Sequence, residues 1–105
     1  MKIHAQRLKP GTDLKKGLQG VVEAKKVQAG VLLSCVGSLE KAVLGMAGAE
    51  PENESIKEIK GPLEIVSATG TLSLDGLHIH LSVSDKEGNV YGGHMKEDCI
   101  VGTTA

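Results

Sequence analysis

The sequence predicts an α+β domain: a mainly antiparallel sheet or open barrel of about seven strands with one N-terminal helix packed on it. Apolar residues recur at helical spacing only once, near the start of the chain. Everything after Gly30 divides into short apolar or alternating runs. Those runs are punctuated by turn pairs at Gly37-Ser38, Gly61-Pro62 and Asp75-Gly76. At 105 residues the chain is one domain, residues 1–105, with no internal repeat.

Taken in order, residues 2–8 alternate enough for an N-terminal or edge strand, which Pro10-Gly11 ends. Asp13 is the expected N-cap of a helix that starts at Leu14. Leu14, Leu18, Val21 and Val22 form its apolar stripe, and Gly30 is the expected stop. Gly17 and Gly20 cost about 1 kcal/mol each relative to Ala inside a helix. They read as points of close packing against a sheet. Val31–Val36 is continuously apolar and reads as a buried strand. Leu39–Ala47 is the next strand. An acidic, solvated loop then runs from Gly48 to Glu54 and holds Glu50, Glu52 and Glu54. Ser55–Ile59 is a short strand, Gly61-Pro62 a break, and Leu63–Leu74 a longer strand with a bulge expected at Gly70. Lys96-Glu97-Asp98 is a turn before a final strand from Cys99 to Ala105. The chain stops partway through that strand, which is expected to pair with another element or subunit.

Between these lies the segment from His78 to His94, which holds three of the chain's four histidines. Lys86-Glu87-Gly88 reads as a three-residue hairpin loop with Gly88 in the left-handed conformation. That loop places Asp85 opposite Asn89, Ser84 opposite Val90, Ser82 opposite Gly92 and His80 opposite His94. Side chains alternate along a strand, so His78, His80 and His94 share one face. Ile79, Leu81, Val83 and Tyr91 share the other, which is core-facing. A loop one residue longer or shorter would send His94 to the apolar face. Three imidazoles on one face are a candidate ligand set, and the metal expected on them is Zn²⁺.

Composition excludes several function classes. The net charge is -1 and aromatic residues are 1% of the chain. Neither a strong phosphate-binding surface nor a base-stacking platform follows from that. Lys9, Lys15, Lys16, Lys25 and Lys26 could form a basic helical face, but they read first as ordinary solvated lysines. No apolar run approaches the length of about 20 residues that a membrane-spanning helix needs. Cys35 and Cys99 lack metal or redox spacing and read as buried free thiols, which suits a reducing, cytoplasmic setting.

Several segments together resemble the plants-and-prokaryotes-conserved (PPC) domain. They are Gly61-Pro-Leu-Glu-Ile-Val66, Thr69-Gly-Thr-Leu-Ser-Leu74, His78-Ile-His80, Gly88-Asn-Val-Tyr-Gly-Gly-His94 and Cys99-Ile-Val-Gly-Thr-Thr-Ala105. The helix and the stretch from Ala29 to Ser38 fit the same pattern, so nearly the whole chain is covered. The resemblance implies an α/β fold with an antiparallel sheet, a homotrimer, and the family label of a predicted DNA-binding or regulatory protein. It also implies a metal ion on His78, His80 and His94. This chain has no Arg-Gly-Arg-Pro AT-hook, since Arg7 is its only arginine. Its Gly61–Val66 segment lacks the Arg and Phe that plant members present to other regulators.

The functional expectation is therefore a homotrimeric, predicted DNA-binding or regulatory domain with a zinc-binding histidine cluster. A metal-dependent enzyme of unknown substrate is one alternative, because three histidines leave zinc an open position. No catalytic residue can be named, however, and no base or substrate pocket is evident. Glu64 is the first carboxylate to compare with the cluster. A trimeric interaction module without chemistry is the other alternative.

Overall fold

The computed structural model describes residues 1–48 and 55–105. Its elements are α1 (Leu14–Lys25), β1 (Gly30–Leu32), β2 (Ser38–Gly45), β3 (Ile56–Ser73), β4 (Gly76–Ser84), β5 (Val90–Met95) and β6 (Ile100–Val101). The strands form one six-stranded antiparallel sheet in the order β1-β3-β4-β5-β2-β6. β2 also pairs with β3, so β2, β3, β4 and β5 curl into a partial ring. The helix packs on this sheet, and the α+β class read from the sequence holds.

The core is aliphatic. Leu14 from the helix meets Leu39, Leu44, Leu63, Ile79, Leu81, Val83, Met95 and Val101 from the strands. Each such fully buried side chain contributes about 1.5–3 kcal/mol. Helix α1 begins where the sequence says it should. The Asp13 carboxylate accepts the Lys16 N–H at 3.1 Å through Oδ1 and the Asp98 N–H at 2.8 Å through Oδ2. One side chain thus caps the helix and ties its start to the turn before β6.

Six local expectations are corrected. Residues 2–8 form no strand. Leu8 makes a reciprocal pair of backbone bonds with Ala105, of 2.7 and 3.1 Å, and no ladder extends from it. The helix stops at Lys26, which adopts the left-handed conformation (φ 52°). Gly30 lies beyond that stop and opens β1. Gly17 packs against Leu8 of the N-terminal segment and not against the sheet, and Gly20 faces open space.

The other three corrections concern strands. Val31–Val36 is not a buried strand. β1 covers only Gly30–Leu32 and pairs with β3 alone, while Val31, Leu33 and Val36 are 62%, 72% and 74% exposed. Among the described residues, no strand pairs with the outer side of that edge. Gly61-Pro62 does not break a strand, and the two strands expected around it are one, β3. The residues between Lys60 and Leu63 bulge against Glu40 of β2. Proline lacks an N–H and is tolerated in sheets at such bulges.

A second bulge falls at Val66, between Ile65 and Ser67, rather than at Gly70. Gly70 has a different role. A Cβ there would collide with the His78 carbonyl oxygen across the ladder. The final strand pairs within the chain. β6 lies against β2, and Gly102 and Ser38 continue the contact through a 2.9 Å backbone bond. The acidic loop holding Glu50, Glu52 and Glu54 lies outside the described residues.

Candidate metal centre

The hairpin of β4 and β5 has the register its loop chemistry predicts. Asp85 N–H donates to the Asn89 carbonyl at 2.9 Å, and Gly88 N–H donates to the Asp85 carbonyl at 3.0 Å. Gly88 sits at φ 86°, where glycine alone carries no steric penalty. The Asp85 carboxylate accepts the backbone N–H groups of Glu87 and Asn89, each at 2.9 Å, and the Asn89 amide at 3.1 Å. Desolvation pushes the Asp85 carboxyl up in pKa. The bonds from Asn89, Glu87 and Tyr91 outweigh it, and the group lies below its ordinary value.

From this loop the ladder runs Ser84 to Val90, Val83 to Tyr91, Ser82 to Gly92, Leu81 to Gly93 and His80 to His94. Ile79, Leu81 and Val83 point into the core and are at most 1% exposed. Alternation then forces His78, His80 and His94 onto the outer face. Gly93 allows the ring to close beside them, since a Cβ there would lie 2.6 Å from the Gly45 carbonyl oxygen. Gly45 of β2 pairs with His94 and fixes it from the far side.

The three imidazoles meet. His78 Nε2 lies 3.2 Å from His80 Nε2. Ring centres are 5.2 Å apart for His78 and His80, 4.9 Å for His78 and His94, and 6.1 Å for His80 and His94. Two nitrogens on one tetrahedral Zn²⁺ at about 2.0–2.1 Å stand about 3.3–3.4 Å apart, and their ring centres about 5 Å apart. The histidine spacings match those values to within about an ångström. The 3.2 Å contact equally suits an N–H···N hydrogen bond between one donor and one acceptor tautomer. Among the described residues, no three His, Cys, Asp or Glu side chains already converge on a single ion-sized point. The rings are gathered on one face without converging on such a point.

Two threonines missed by the sequence reading flank the cluster. Thr69 stands directly opposite His80, and Thr71 opposite His78, on β3. Thr69-Gly70-Thr71 has the same period-two pattern as His78-Ile79-His80, and the turn before Gly76 aligns the two. Glu64 is not part of the site. It faces Ser84, four residues along β4 from His80, which is about 13 Å of strand. His4 lies exposed in the N-terminal segment.

The cysteines are both free. Cys99 is buried and Cys35 partly so, and desolvation raises both thiols. Neither is an activated nucleophile. No helix among the described residues is long and apolar enough to cross a membrane.

The whole chain, residues 1–105, matches the family described as the Plants and Prokaryotes Conserved (PCC) domain. It is 40% identical over 105 residues to bifunctional GlmU proteins from two Synechococcus strains, and spans 16% of their length. A hypothetical protein from Salmonella cholerae-suis shares 39% identity at a TM-score of 0.89, over 96% of this chain and 70% of that one. A metal-containing protein from Archaeoglobus fulgidus shares 32% identity at a TM-score of 0.81, over 99% of this chain and 81% of that one. A Bacteroides thetaiotaomicron structure put forward as DNA-binding has a TM-score of 0.81 over 93% of this chain and 70% of its own. At 19% identity, it shows a shared fold alone.

Proposed function

The chain belongs to the Plants and Prokaryotes Conserved (PCC) domain family, and on that premise we propose that it is a metal-holding regulatory module. In this reading His78, His80 and His94 hold Zn²⁺, the chain assembles as a homotrimer, and DNA is its macromolecular partner. The observation that carries the metal is the 3.2 Å separation of His78 Nε2 and His80 Nε2, with His94 across the ladder. The metal-containing relative from Archaeoglobus fulgidus supports it. Bound there, zinc would supply a Lewis acid and a fixed positive charge. The chain's own contribution is the hairpin that orients the three imidazoles.

The exposed apolar residues Val31, Leu33 and Val36 support the trimer, because an edge of this kind is normally covered. The fold shared with a DNA-binding candidate supports the DNA reading, and the exposed Lys16, Lys25 and Lys26 would supply phosphate contacts. The free cysteines suit a cytoplasmic location.

Thermal unfolding with and without zinc tests the metal reading. A ligand at about 100 times its Kd stabilises the folded state by about 2.7 kcal/mol. Wild-type protein stripped with a chelator should regain that stability when Zn²⁺ is restored, and His80→Ala should not. An equal response in both proteins would overturn the reading. DNA affinity should fall steeply with salt, and no duplex binding at low salt would remove DNA as the partner.

A further inference from the structure

The chain holds a strand-patterned segment without an edge, and an edge without a strand. Met1–Arg7 are exposed, and Ile3 and Ala5 alternate with Lys2, His4 and Gln6. Among the described residues, β1 pairs with β3 alone. Beyond β1, residues 34–36 make no backbone hydrogen bond to another described residue. Val31, Leu33 and Val36 present apolar side chains along that stretch. Sheet edges are normally guarded by charged side chains or proline. Residues 27–37 contain neither. Gly45 and Ile56, which lead to the undescribed residues, pair at the far end of β2, about 23 Å of strand from Ser38.

Within one chain the two are kept apart. Leu8 pairs with Ala105, while the Ser38 N–H donates to the Thr104 carbonyl at 3.0 Å. The last residues of the chain therefore stand between the segment and the edge. Arg7 is anchored too, through Nε to Thr104 Oγ1 at 3.0 Å.

We infer that residues 2–6 of one copy add as a strand to the outer edge of residues 31–36 of a second copy. This rests on the homotrimer reading above and names the contact that builds it. Strand addition combines main-chain hydrogen bonds with packing of alternate side chains. Ile3 and Ala5 then lie against the apolar edge, and Lys2, His4 and Gln6 stay in water. Segment and edge are different patches, so the contact runs head to tail, the arrangement that builds closed rings. Two edges laid against each other would make a two-fold dimer instead.

Sedimentation of the full chain, alone and in mixtures, tests this. Proline removes a ladder hydrogen bond. Ala5 makes no backbone bond to another described residue, so Ala5→Pro should keep the wild-type circular dichroism. Wild type should sediment as a trimer, and Ala5→Pro and Leu33→Glu each as a monomer. Mixed together, the two variants should form a 1:1 pair, because one keeps its edge and the other its segment. Amide hydrogen exchange should be slow at residues 2–6 in the wild type and fast there in Ala5→Pro. An Ala5→Pro protein that stays trimeric would overturn the inference and leave the homotrimer standing. A mixture that stays monomeric would overturn the head-to-tail pairing. A wild-type dimer broken by Leu33→Glu alone would mark edge-to-edge pairing and overturn it as well. A wild-type monomer would overturn the homotrimer and this inference together, leaving the edge to a strand from another protein.

Discussion

His80 and His94 face each other directly across the β4–β5 ladder, and the three residues Lys86, Glu87 and Gly88 put them there. The pairing is a consequence of loop length, because the side-chain period of a strand is two. Deleting Lys86 would therefore do more than shorten a turn. It would force either a strained loop or a one-residue slip that drives His94 toward the core. The expected outcome is loss of zinc uptake together with a large fall in Tm, followed by elemental analysis and circular dichroism.

Gly88→Ala isolates the cost of the loop conformation without changing its length. The left-handed backbone costs a non-glycine residue about 1–2 kcal/mol. Denaturant unfolding should show a loss of that size. Zinc stoichiometry should stay at the wild-type value, since the register is unchanged.

Asp85 gives the loop a pH dependence of known sign. Its carboxyl lies below its ordinary value in the folded state. The folded chain therefore holds fewer protons on this group than the unfolded chain does. The stabilisation is complete above the unfolded value and is lost as pH falls through the folded one. Asp85→Asn should lower Tm at pH 6 and lower it less at pH 3. A pH-independent difference would contradict the assignment.

Glycines separate packing from propensity. A Cβ at Gly70 would meet the His78 backbone, which cannot give way as a side-chain end can. Gly70→Ala should cost about 3 kcal/mol or more. Gly20 lies inside α1 with nothing within 4 Å of its Cβ position. Gly20→Ala should raise stability by about 0.5–1 kcal/mol. Equilibrium urea unfolding of both variants checks the contrast.

The exposed edge after β1 makes a prediction about assembly. If Val31, Leu33 and Val36 are covered by neighbouring subunits, Leu33→Glu places a charge in that contact. Sedimentation should show a trimer for wild type and a smaller species for the variant. A wild-type monomer at micromolar concentration would contradict the homotrimer.

What was legible in the sequence follows from how local each signal is. The hairpin register could be read because Asp85, Gly88 and the alternation of β4 all act within a few residues. The start of α1 was legible for the same reason, through Asp13. The stop at Lys26 was not. A left-handed C-cap is usually a glycine, and here a lysine takes it, with the Lys26 and Val27 N–H groups donating back to the Glu23 and Val22 carbonyls. The continuity of β3 was hidden because Pro62 signals a break unless the bulge opposite Glu40 is known. Val31–Val36 misled because apolarity marks burial without saying whether the cover comes from the same chain. Thr69 and Thr71 carried a period-two signal, but only the paired ladder shows which histidine each one faces.

Elemental analysis of purified wild-type protein beside His80→Ala tests the central claim most directly. The account predicts close to one zinc per chain in the wild type and almost none in the variant, with both folded by circular dichroism. Equal, negligible metal in the two proteins, or equal full occupancy, would contradict it.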